Sequence, residues 1–239
     1  MSKGIYIGVD NIARKVKKGY VGIDSVARKI KKGYIGIDGI ARPFFTSEPE
    51  LYYYGQISGL SSKRQGLAAT TVGNYALFGG GSSNYTTNVT TAIDVYADTL
   101  VKKTANALST GRCNLAATTV GNYALFAGGQ IPSAGYYSAT VDTYNSSLVK
   151  GTASGLSATR RDLAATTVGN YALFSGGYNG SNLATTEVYT SSLVKVTVNS
   201  LSVARHELAA TTVGNYALFG GGYDGNKNVY TTVDAYQII

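Results

Sequence analysis

The chain has few residues of four types: one cysteine, one histidine, three prolines and no tryptophan among 239 residues. It is therefore poor in the side chains that form disulfides and metal sites. Cys113 alone cannot form a disulfide within the chain, and His206 alone excludes any site that needs two imidazole ligands. No apolar run approaches the ~20 residues that span a bilayer, and no signal-peptide segment follows Met1. We therefore expect a protein made in the cytoplasm, without membrane insertion, whose fold is closed by strand pairing and core burial.

The chain is instead rich in glycine, with 30 residues, and in one repeated phrase. This phrase, LAATTVGNYALF, begins at Leu67, Leu115, Leu163 and Leu208, at intervals of 48, 48 and 45 residues. A repeat of this length that cannot bury its own apolar face must stack on further copies of itself. The spacing therefore predicts a solenoid, an array or a propeller.

Each repeat predicts four short antiparallel strands. In the first copy the strands are Leu67–Val72 and Tyr75–Phe78, which flank the turn Gly73-Asn74, followed by 92–96 and 100–105. A Gly/Asn turn between two alternating apolar segments is typical of a hairpin. No repeat shows a helical period, so we expect an all-β fold.

Four strands per repeat, closed by a Gly-Gly pair after the second strand, resemble the kelch family of β-propellers. The resemblance covers residues 51–239. It includes a tyrosine in each third strand (Tyr96, Tyr144, Tyr189 and Tyr236) and an arginine before each first strand (Arg64, Arg112, Arg160 and Arg205). Kelch repeats usually have tryptophan at the start of the fourth strand, where this chain has Leu100, Leu148 and Leu193. The resemblance implies that each repeat forms one propeller blade.

The last repeat ends at Ile239, soon after its third strand, and residues 51–60 align with a fourth-strand position. We therefore predict a four-bladed propeller closed by this N-terminal strand, which removes exposed sheet edges. The small residues of Ala68–Thr71 would fit the narrow axis of such a ring, or they are simply tolerated in a twisted strand. Two chains that combine into a larger ring are the alternative geometry.

Residues 1–45 follow a different repeat of 14 residues, in which a Tyr-x-Gly-Ile-Asp pattern, with Val for Ile in the first copy, is followed by Ala-Arg. The pair Asp38-Gly39 between Ile37 and Ile40 favours small hairpins. The alternative is a short amphipathic helix over Ser25–Lys32 behind an Asp24 cap. We divide the chain into a basic repeat module at 1–45, a linker at 46–50 and the propeller at 51–239.

Positive charge is concentrated at the N-terminus. Residues 1–42 carry a balance of +7 and residues 43–239 a balance of +1. The lysines either anchor the chain to an acidic partner or only keep sheet edges from pairing with other chains; the anchoring candidates are Lys17, Lys18, Lys31 and Lys32. No nucleic-acid motif accompanies this charge, so a nucleic-acid partner is not expected.

These short repeats resemble segments that precede variable C-terminal domains in tail-associated proteins of phages and prophages of Gram-positive bacteria. The resemblance implies that residues 1–45 dock to other particle proteins or form a homo-oligomer. It also implies that the propeller points outward from a virion tail and carries the receptor-binding function.

The residues give no catalytic site, metal site or cofactor site. Cys113 and His206 occupy matching places one residue after Arg112 and Arg205, on nonadjacent repeats, so they are not expected to act as a nucleophilic pair. The acids Asp94, Asp142, Glu187 and Asp234 recur with the repeat. We read them as structural hydrogen-bonding positions and expect no enzyme, with a propeller hydrolase or lyase kept as an alternative.

The loops between the second and third strands differ where the repeats are otherwise alike. They are rich in Tyr, Asn, Ser and Gly, the composition that loop-based binding sites favour. We predict that they bind a host-surface glycan or a protein receptor, beside the repeated arginines, although loop tyrosines can also pack on their own blades and the arginines can bond neighbouring carbonyls. The candidate residues are Tyr85, Tyr136, Tyr137, Tyr178, Asn179, Tyr223, Asp224, Tyr230, Arg64, Arg112, Arg160 and Arg205. An intracellular kelch-type scaffold for a partner protein is the alternative function.

Overall fold

A computed structural model describes the strands of residues 6–46, residue 51, and residues 53–84, 88–226 and 228–239. The fold is all-β, and the described residues contain a single turn of 3₁₀ helix, Pro132–Ala134. The chain divides into two units, Met1–Gln56 and Ile57–Ile239. None of the described residues belongs to a helix that could cross a membrane.

The described strands of the first unit form three antiparallel hairpins, one for each 14-residue repeat. Each hairpin is a separate two-stranded sheet. The predicted hairpins are therefore confirmed, and the helical alternative over Ser25–Lys32 is wrong because Val26–Ile30 is a strand. The strands are β1 (Tyr6–Val9), β2 (Ile12–Lys15), β3 (Gly19–Ile23), β4 (Val26–Ile30), β5 (Lys32–Ile37) and β6 (Ile40–Thr46).

The described residues of the second unit form four main sheets, one for each long repeat, and a separate two-stranded sheet. Sheet I consists of β7 (Ala68–Val72), β8 (Tyr75–Gly79), β9 (Ile93–Ala97) and β10 (Lys102–Lys103). Sheet II consists of β11 (Ala116–Val120), β12 (Tyr123–Ala127), β15 (Val141–Asn145) and β16 (Lys150–Ala153), with the small hairpin β13 (Gln130–Ile131) and β14 (Tyr136–Tyr137) inserted. Sheet III consists of β17 (Ala164–Val168), β18 (Tyr171–Ser175), β19 (Thr186–Thr190) and β20 (Lys195–Thr197), and sheet IV of β21 (Ala209–Val213), β22 (Tyr216–Gly220) and β23 (Val233–Gln237).

Neighbouring strands in each sheet are antiparallel and follow one another along the chain, as the repeat predicts. The fourth strand of sheet I is much shorter than predicted, since β10 covers only two residues. Leu100 explains why the strand begins later than predicted: its φ of 62° lies in the left-handed region, so it belongs to the turn before the strand. Leu148 and Leu193 have the same conformation in sheets II and III.

Each sheet packs face to face on the next one along the chain. We call the face toward the next sheet the leading face; in sheet I it presents Ala68, Val72, Leu77, Ile93 and Val95. We call the opposite face the trailing face; in sheet II it presents Leu115, Ala117, Ala124, Phe126 and Tyr144. The same pairing of a leading face with a trailing face builds the cores between sheets II and III and between sheets III and IV.

The first strands of consecutive sheets contact one another, β7 with β11, β11 with β17, and β17 with β21. A threonine pair marks each junction: Thr70 with Thr119, Thr118 with Thr167, and Thr166 with Thr212, with 2.7, 2.8 and 2.9 Å between the hydroxyl oxygens. The second threonine of each pair also donates to a backbone carbonyl of the preceding first strand. Small side chains thus allow close approach and direct hydrogen bonding between sheets.

The row of sheets has two ends. Sheet IV contains three strands, and no described residue of 53–60 belongs to a strand. The expected strand at 51–60 is therefore not formed there. Ser61 instead donates to Asp94 of sheet I through its backbone N–H and its hydroxyl, at 3.1 and 3.0 Å, and the Tyr96 hydroxyl donates to the carbonyl of Ser58.

Candidate functional site

The four repeated arginines lie inside the sheets. Arg112, Arg160 and Arg205 are fully buried, and the side chain of Arg64 is 1 % exposed. Each pairs with the acidic residue of the third strand in its own repeat: Arg64 with Asp94, Arg112 with Asp142, Arg160 with Glu187 and Arg205 with Asp234. Their guanidinium groups are therefore withheld from a surface ligand. The ion pairs agree with the structural interpretation of the acids. The structural alternative for the arginines agrees with their bonds to backbone carbonyls, which Arg64, Arg112 and Arg205 donate to Phe78, Phe126 and Phe219.

The ion pairs perturb the carboxylates. Burial acts to raise the pKa of Asp94, but hydrogen bonds from Lys102, Arg64 and Ser61 outweigh it and hold this pKa at about 2. Burial also acts to raise the pKa of Asp142, and the hydrogen bonds from Ser109 and Arg112 act to lower it. The net result is a pKa below the ordinary value. These carboxylates therefore stay ionised and tie each third strand to the segment before the first strand. They are not placed as general acids.

The residue after each arginine turns toward the loop after the second strand. Backbone bridges join Gln65 with Ser82, Cys113 with Gln130, Arg161 with Tyr178, and His206 with Tyr223. The two loops predicted to share one end of each repeat are therefore adjacent. The side chains that meet the loop tyrosines come from this position and not from the arginines before it.

A row of aromatic rings runs across this end of sheets II to IV. The ring centroids of Tyr137 and Tyr178 are 6.2 Å apart, those of Tyr178 and His206 5.2 Å, and those of His206 and Tyr223 5.3 Å. His206 is buried at the centre of the row, and its Nδ1 lies 2.8 Å from Oδ1 of Asn182. The three tyrosines are half-buried, so each keeps part of its surface toward solvent. We call these four rings the aromatic row.

Arg161 places a positive charge over the aromatic row. Its guanidinium carbon lies 5.4 Å from the ring centroid of Tyr178 and 5.9 Å from that of Tyr137, within the range of cation–π attraction. The Nη1 atom donates to the carboxylate of Asp162 at 2.6 Å. The side chain is 28 % exposed, so the charge is both oriented and reachable from solvent.

A groove of about 600 Å³ opens beside the row and is lined by Tyr136, Tyr137, Thr159 and Asn179, among others. Tyr136 is 67 % exposed and stands at its edge on the β13–β14 hairpin. The groove therefore combines an exposed ring with hydroxyl and amide groups, which is the mixture that orients a polar ligand.

Asp224 and Tyr230 organise the loop of the fourth repeat. One carboxylate oxygen of Asp224 accepts from the backbone N–H groups of Asn226 and Asn228, at 2.8 and 3.2 Å, and the other accepts from the Tyr230 hydroxyl at 3.3 Å. The bond from the Asn228 side chain is the largest cause of the lowered pKa of Asp224. Both residues are thus occupied in holding a turn next to Tyr223.

Several predicted site residues fall outside what the structure describes. These are Tyr85 in the first repeat and the lysines Lys17, Lys18 and Lys31; Lys32 is described only through its backbone in β5. The first repeat therefore contributes no described tyrosine to the aromatic row. The described candidates cluster on repeats two to four.

Cys113 and His206 do not form a reactive pair. Cys113 is fully buried in the repeat of sheet II, and burial raises the pKa of its thiol. His206 is held between Tyr178 and Tyr223 in the repeat of sheet IV. Among the described residues no group of three or more His, Cys, Asp or Glu side chains could hold a metal ion.

Sequence reasoning missed Arg161, His206 and Asn182 as members of the site. The signal in the sequence is weak, because the residue after each repeated arginine changes from Gln65 to Cys113, Arg161 and His206, but the next position also changes, from Gly66 to Asn114, Asp162 and Glu207. Only the backbone bridges to the loops distinguish the first of these two variable positions from the second.

Comparison of the chain with known protein families gives no match, and comparison with curated proteins gives no significant match.

Proposed function

We propose that the second unit is a kelch-like propeller array in which each sheet is a blade, and that it is a non-catalytic receptor-binding module. The array presents the aromatic row, Arg161 and the adjoining groove to a host-surface glycan. In this proposal the protein is a component of a phage or prophage tail, and the basic hairpins of residues 1–45 anchor it to other tail proteins.

The observation that carries the proposal is the aromatic row with Arg161 above it. Half-buried tyrosine rings give contact area at a low cost in side-chain entropy, because neighbouring rings already fix them. Such rings can stack on the apolar face of a sugar, while the guanidinium, Asn179 and nearby hydroxyls can bond to sugar hydroxyls or to an acidic group. The lining of the groove is uncharged, so it is the charge of Arg161 over Tyr137 and Tyr178 that suits a carbohydrate with at least one negative group.

Binding of a polymer with repeating units would also explain why related chemistry occurs on consecutive repeats. Sites on several blades, or on several copies of the chain, raise apparent affinity by avidity without any single strong site. A weak groove is therefore sufficient for attachment to a cell surface.

The test is a glycan array and a whole-cell binding assay with the full chain and a variant that changes Tyr136, Tyr137, Tyr178 and Tyr223 to Ala. We expect the variant to lose at least ~10-fold in binding, since truncation of aromatic contact residues commonly costs more than 1 kcal/mol each. The matched control is Tyr171→Ala, which removes a partly exposed tyrosine at the opposite end of the strands.

Unchanged binding by the fourfold variant, with circular dichroism showing a folded protein, would eliminate the aromatic row as the site. Loss of binding to intact cells with no recognised glycan on the array, together with capture of a host protein by the same face, would favour the protein-receptor alternative. Arg161→Gln gives a second measurement, because it should weaken binding to acidic glycans more than to neutral ones.

A further inference from the structure

The leading face of sheet IV lacks the cover that the other three leading faces have. Val72, Val120 and Val168 are 1, 1 and 4 % exposed, whereas the equivalent Val213 is 61 % exposed. Val233 of the same face is 59 % exposed, and Leu218 is partly exposed although its counterpart Leu77 is fully buried. An exposed apolar face of this kind marks an interaction site.

The trailing face of sheet I is open at the other end of the row. Phe126, Phe174 and Phe219 are fully buried on the trailing faces of sheets II to IV, but the equivalent Phe78 is only half-buried and Ala69 is exposed. Within the described residues, β7 and β21 share no contacts of the extent that joins the other consecutive first strands. The two open faces carry the two halves of an interface that the chain forms three times internally.

Hydrogen-bonding groups at the two ends are unmatched in the same complementary way. The N–H groups of Gly81, Gly129 and Gly177 donate to the carbonyls of Arg112, Arg160 and Arg205 of the next repeat, at 2.9, 2.8 and 3.0 Å. The fourth donor in this series is Gly222 and the unused acceptor is the carbonyl of Arg64; the described residues provide no such partner for either group.

The threonine pairs show the same complementarity. Thr70, Thr118 and Thr166 pair with Thr119, Thr167 and Thr212 of the next sheet. This leaves Thr211 of sheet IV and Thr71 of sheet I, whose side chains have no partner among the described residues. Both are exposed.

We propose that sheet IV of one chain packs on sheet I of a second copy, through the same interface that joins consecutive sheets within the chain. Thr211 then meets Thr71 of the second copy, Gly222 donates to the carbonyl of its Arg64, and Val213 is covered by its trailing face. The contact is head-to-tail, so two copies close into one ring only if both copies use both ends.

We take a second copy as the occupant because the trailing face of sheet I has the same residues as the trailing faces that cover the other leading faces. The trailing faces of sheets I and II present the same residues, Leu67, Ala69, Ala76, Phe78 and Tyr96 in one and Leu115, Ala117, Ala124, Phe126 and Tyr144 in the other. An unrelated partner would need to reproduce this face by coincidence. The surface is therefore continuous with an interface that the molecule uses three times.

The same arrangement would add residues of the second copy to the edge of the three-stranded sheet IV. Tyr54 and Gly55 stand 48 residues before Lys102 and Lys103, which form β10 and pair with Tyr96 and Val95. Tyr54 and Gly55 of the second copy would pair in the same way with Tyr236 and Ala235 in β23 of the first copy. Tyr53 and Tyr54 are exposed in the single chain and become covered by this pairing.

The experiment is cysteine cross-linking of the full chain in a Cys113→Ser background. The variant Thr71→Cys with Thr211→Cys should form a disulfide between copies under mild oxidation, because the equivalent threonine oxygens are within hydrogen-bonding distance. We expect a band at twice the mass of 25.0 kDa on a non-reducing gel, which returns to the single-chain mass on reduction. Thr118→Cys with Thr167→Cys is the matched control and should cross-link within one chain.

Two outcomes overturn the proposal. An intrachain disulfide between positions 71 and 211 would mean that one chain closes its own ring. Absence of any disulfide there, while the control pair cross-links, would mean that the two faces do not meet. Each single-cysteine variant should stay uncross-linked, and equal cross-linking by one of them would show random collision instead of the proposed contact.

Light scattering provides a second measurement that needs no cysteine. The full chain should have at least twice the single-chain mass at micromolar concentration, and Val213→Arg with Val233→Arg should reduce this mass. The control, Val149→Arg with Val194→Arg, changes equally exposed valines in the outer turns of sheets II and III and should leave the mass unchanged. A wild-type monomer, or a mass that Val213→Arg with Val233→Arg leaves unchanged, would contradict the proposal. The second result would assign self-association to residues 1–45, and neither result bears on glycan binding.

Discussion

Sheets III and IV have nearly the same first two strands, yet the leading face of sheet III is buried and that of sheet IV is largely exposed to solvent. In sheet III, Val168 and Leu173 are buried against the next sheet, whereas in sheet IV Val213 is solvent-exposed and Leu218 is partly exposed. The two phrases are identical in sequence. The burial of a residue in this protein is therefore a property of the junction between two sheets and not of the repeat that contains it.

The comparison also separates two kinds of stabilising contact. The arginine–carboxylate pair lies within one repeat and is present in all four, including sheet IV. The apolar junction lies between repeats and is formed three times within the chain. In a repeat protein the first contributes to the intrinsic stability of a unit and the second to coupling between neighbours.

The largest effect is expected for Asp142→Asn in sheet II. The change leaves Arg112 charged and fully buried with no carboxylate, and breaking a buried ion pair costs about 3–5 kcal/mol. Asp234→Asn in sheet IV should cost less in the separated chain, because the Asp234 side chain is 19 % exposed and water can reach the site. Urea unfolding of both variants measures the difference. Equal losses would show that the end of the row is as dry as its interior.

An intermediate effect is expected for the difference in stability loss between Val120→Ala and Val213→Ala. Val120 is buried at the junction of sheets II and III, so its truncation should cost about 2 kcal/mol at any protein concentration. Val213→Ala should change the stability of the separated chain by less than about 0.5 kcal/mol. If a second copy covers Val213, the same variant should also reduce the concentration dependence of the unfolding temperature. Thermal unfolding at several concentrations checks both statements.

The smallest effect concerns acid pH. Asp94, Asp142 and Asp234 have pKa values below their ordinary value of 3.8 in the folded chain, with that of Asp94 at about 2. Because the folded state favours the ionised form, this stability is fully present above pH ~4 and is lost as pH falls toward 2. Asp162 acts in the opposite sense, since burial raises its pKa. Unfolding measured from pH 6 to 2 should show a shallower decline for Asp94→Asn than for the unchanged chain; an identical decline would contradict the assignment to Asp94.

Much of the strand pattern could be predicted from the sequence. Alternation, the Gly-Asn turns and the Gly-Gly pairs place the first two strands of every repeat within one residue of their observed bounds. The fourth strand of the first repeat was predicted to begin too early, because a leucine in the left-handed region cannot be recognised from its residue type. The strand at 51–60 was predicted from alignment alone, and alignment does not determine which sheet receives a segment.

The candidate site was predicted only in part. The loop tyrosines and the end of the sheets that carries them follow from the repeat and from antiparallel topology. The arginines were placed beside these tyrosines, whereas each arginine side chain turns inward to a carboxylate and the next residue turns outward to the loop. In an irregular segment, the side chains that turn inward or outward cannot be assigned without the backbone hydrogen bonds. Arg161 and His206 were missed for this reason.

The sequence by itself determined the repeating unit, because periodic turns and apolar alternation act over a few residues and recur in every copy. It also determined which acid and which arginine occur together in each repeat. Only the tertiary structure decided which faces are covered, since burial depends on the sheet that packs opposite and not on the residues of the face itself. For that reason one phrase, written four times, forms three closed junctions and leaves one face open at each end of the row.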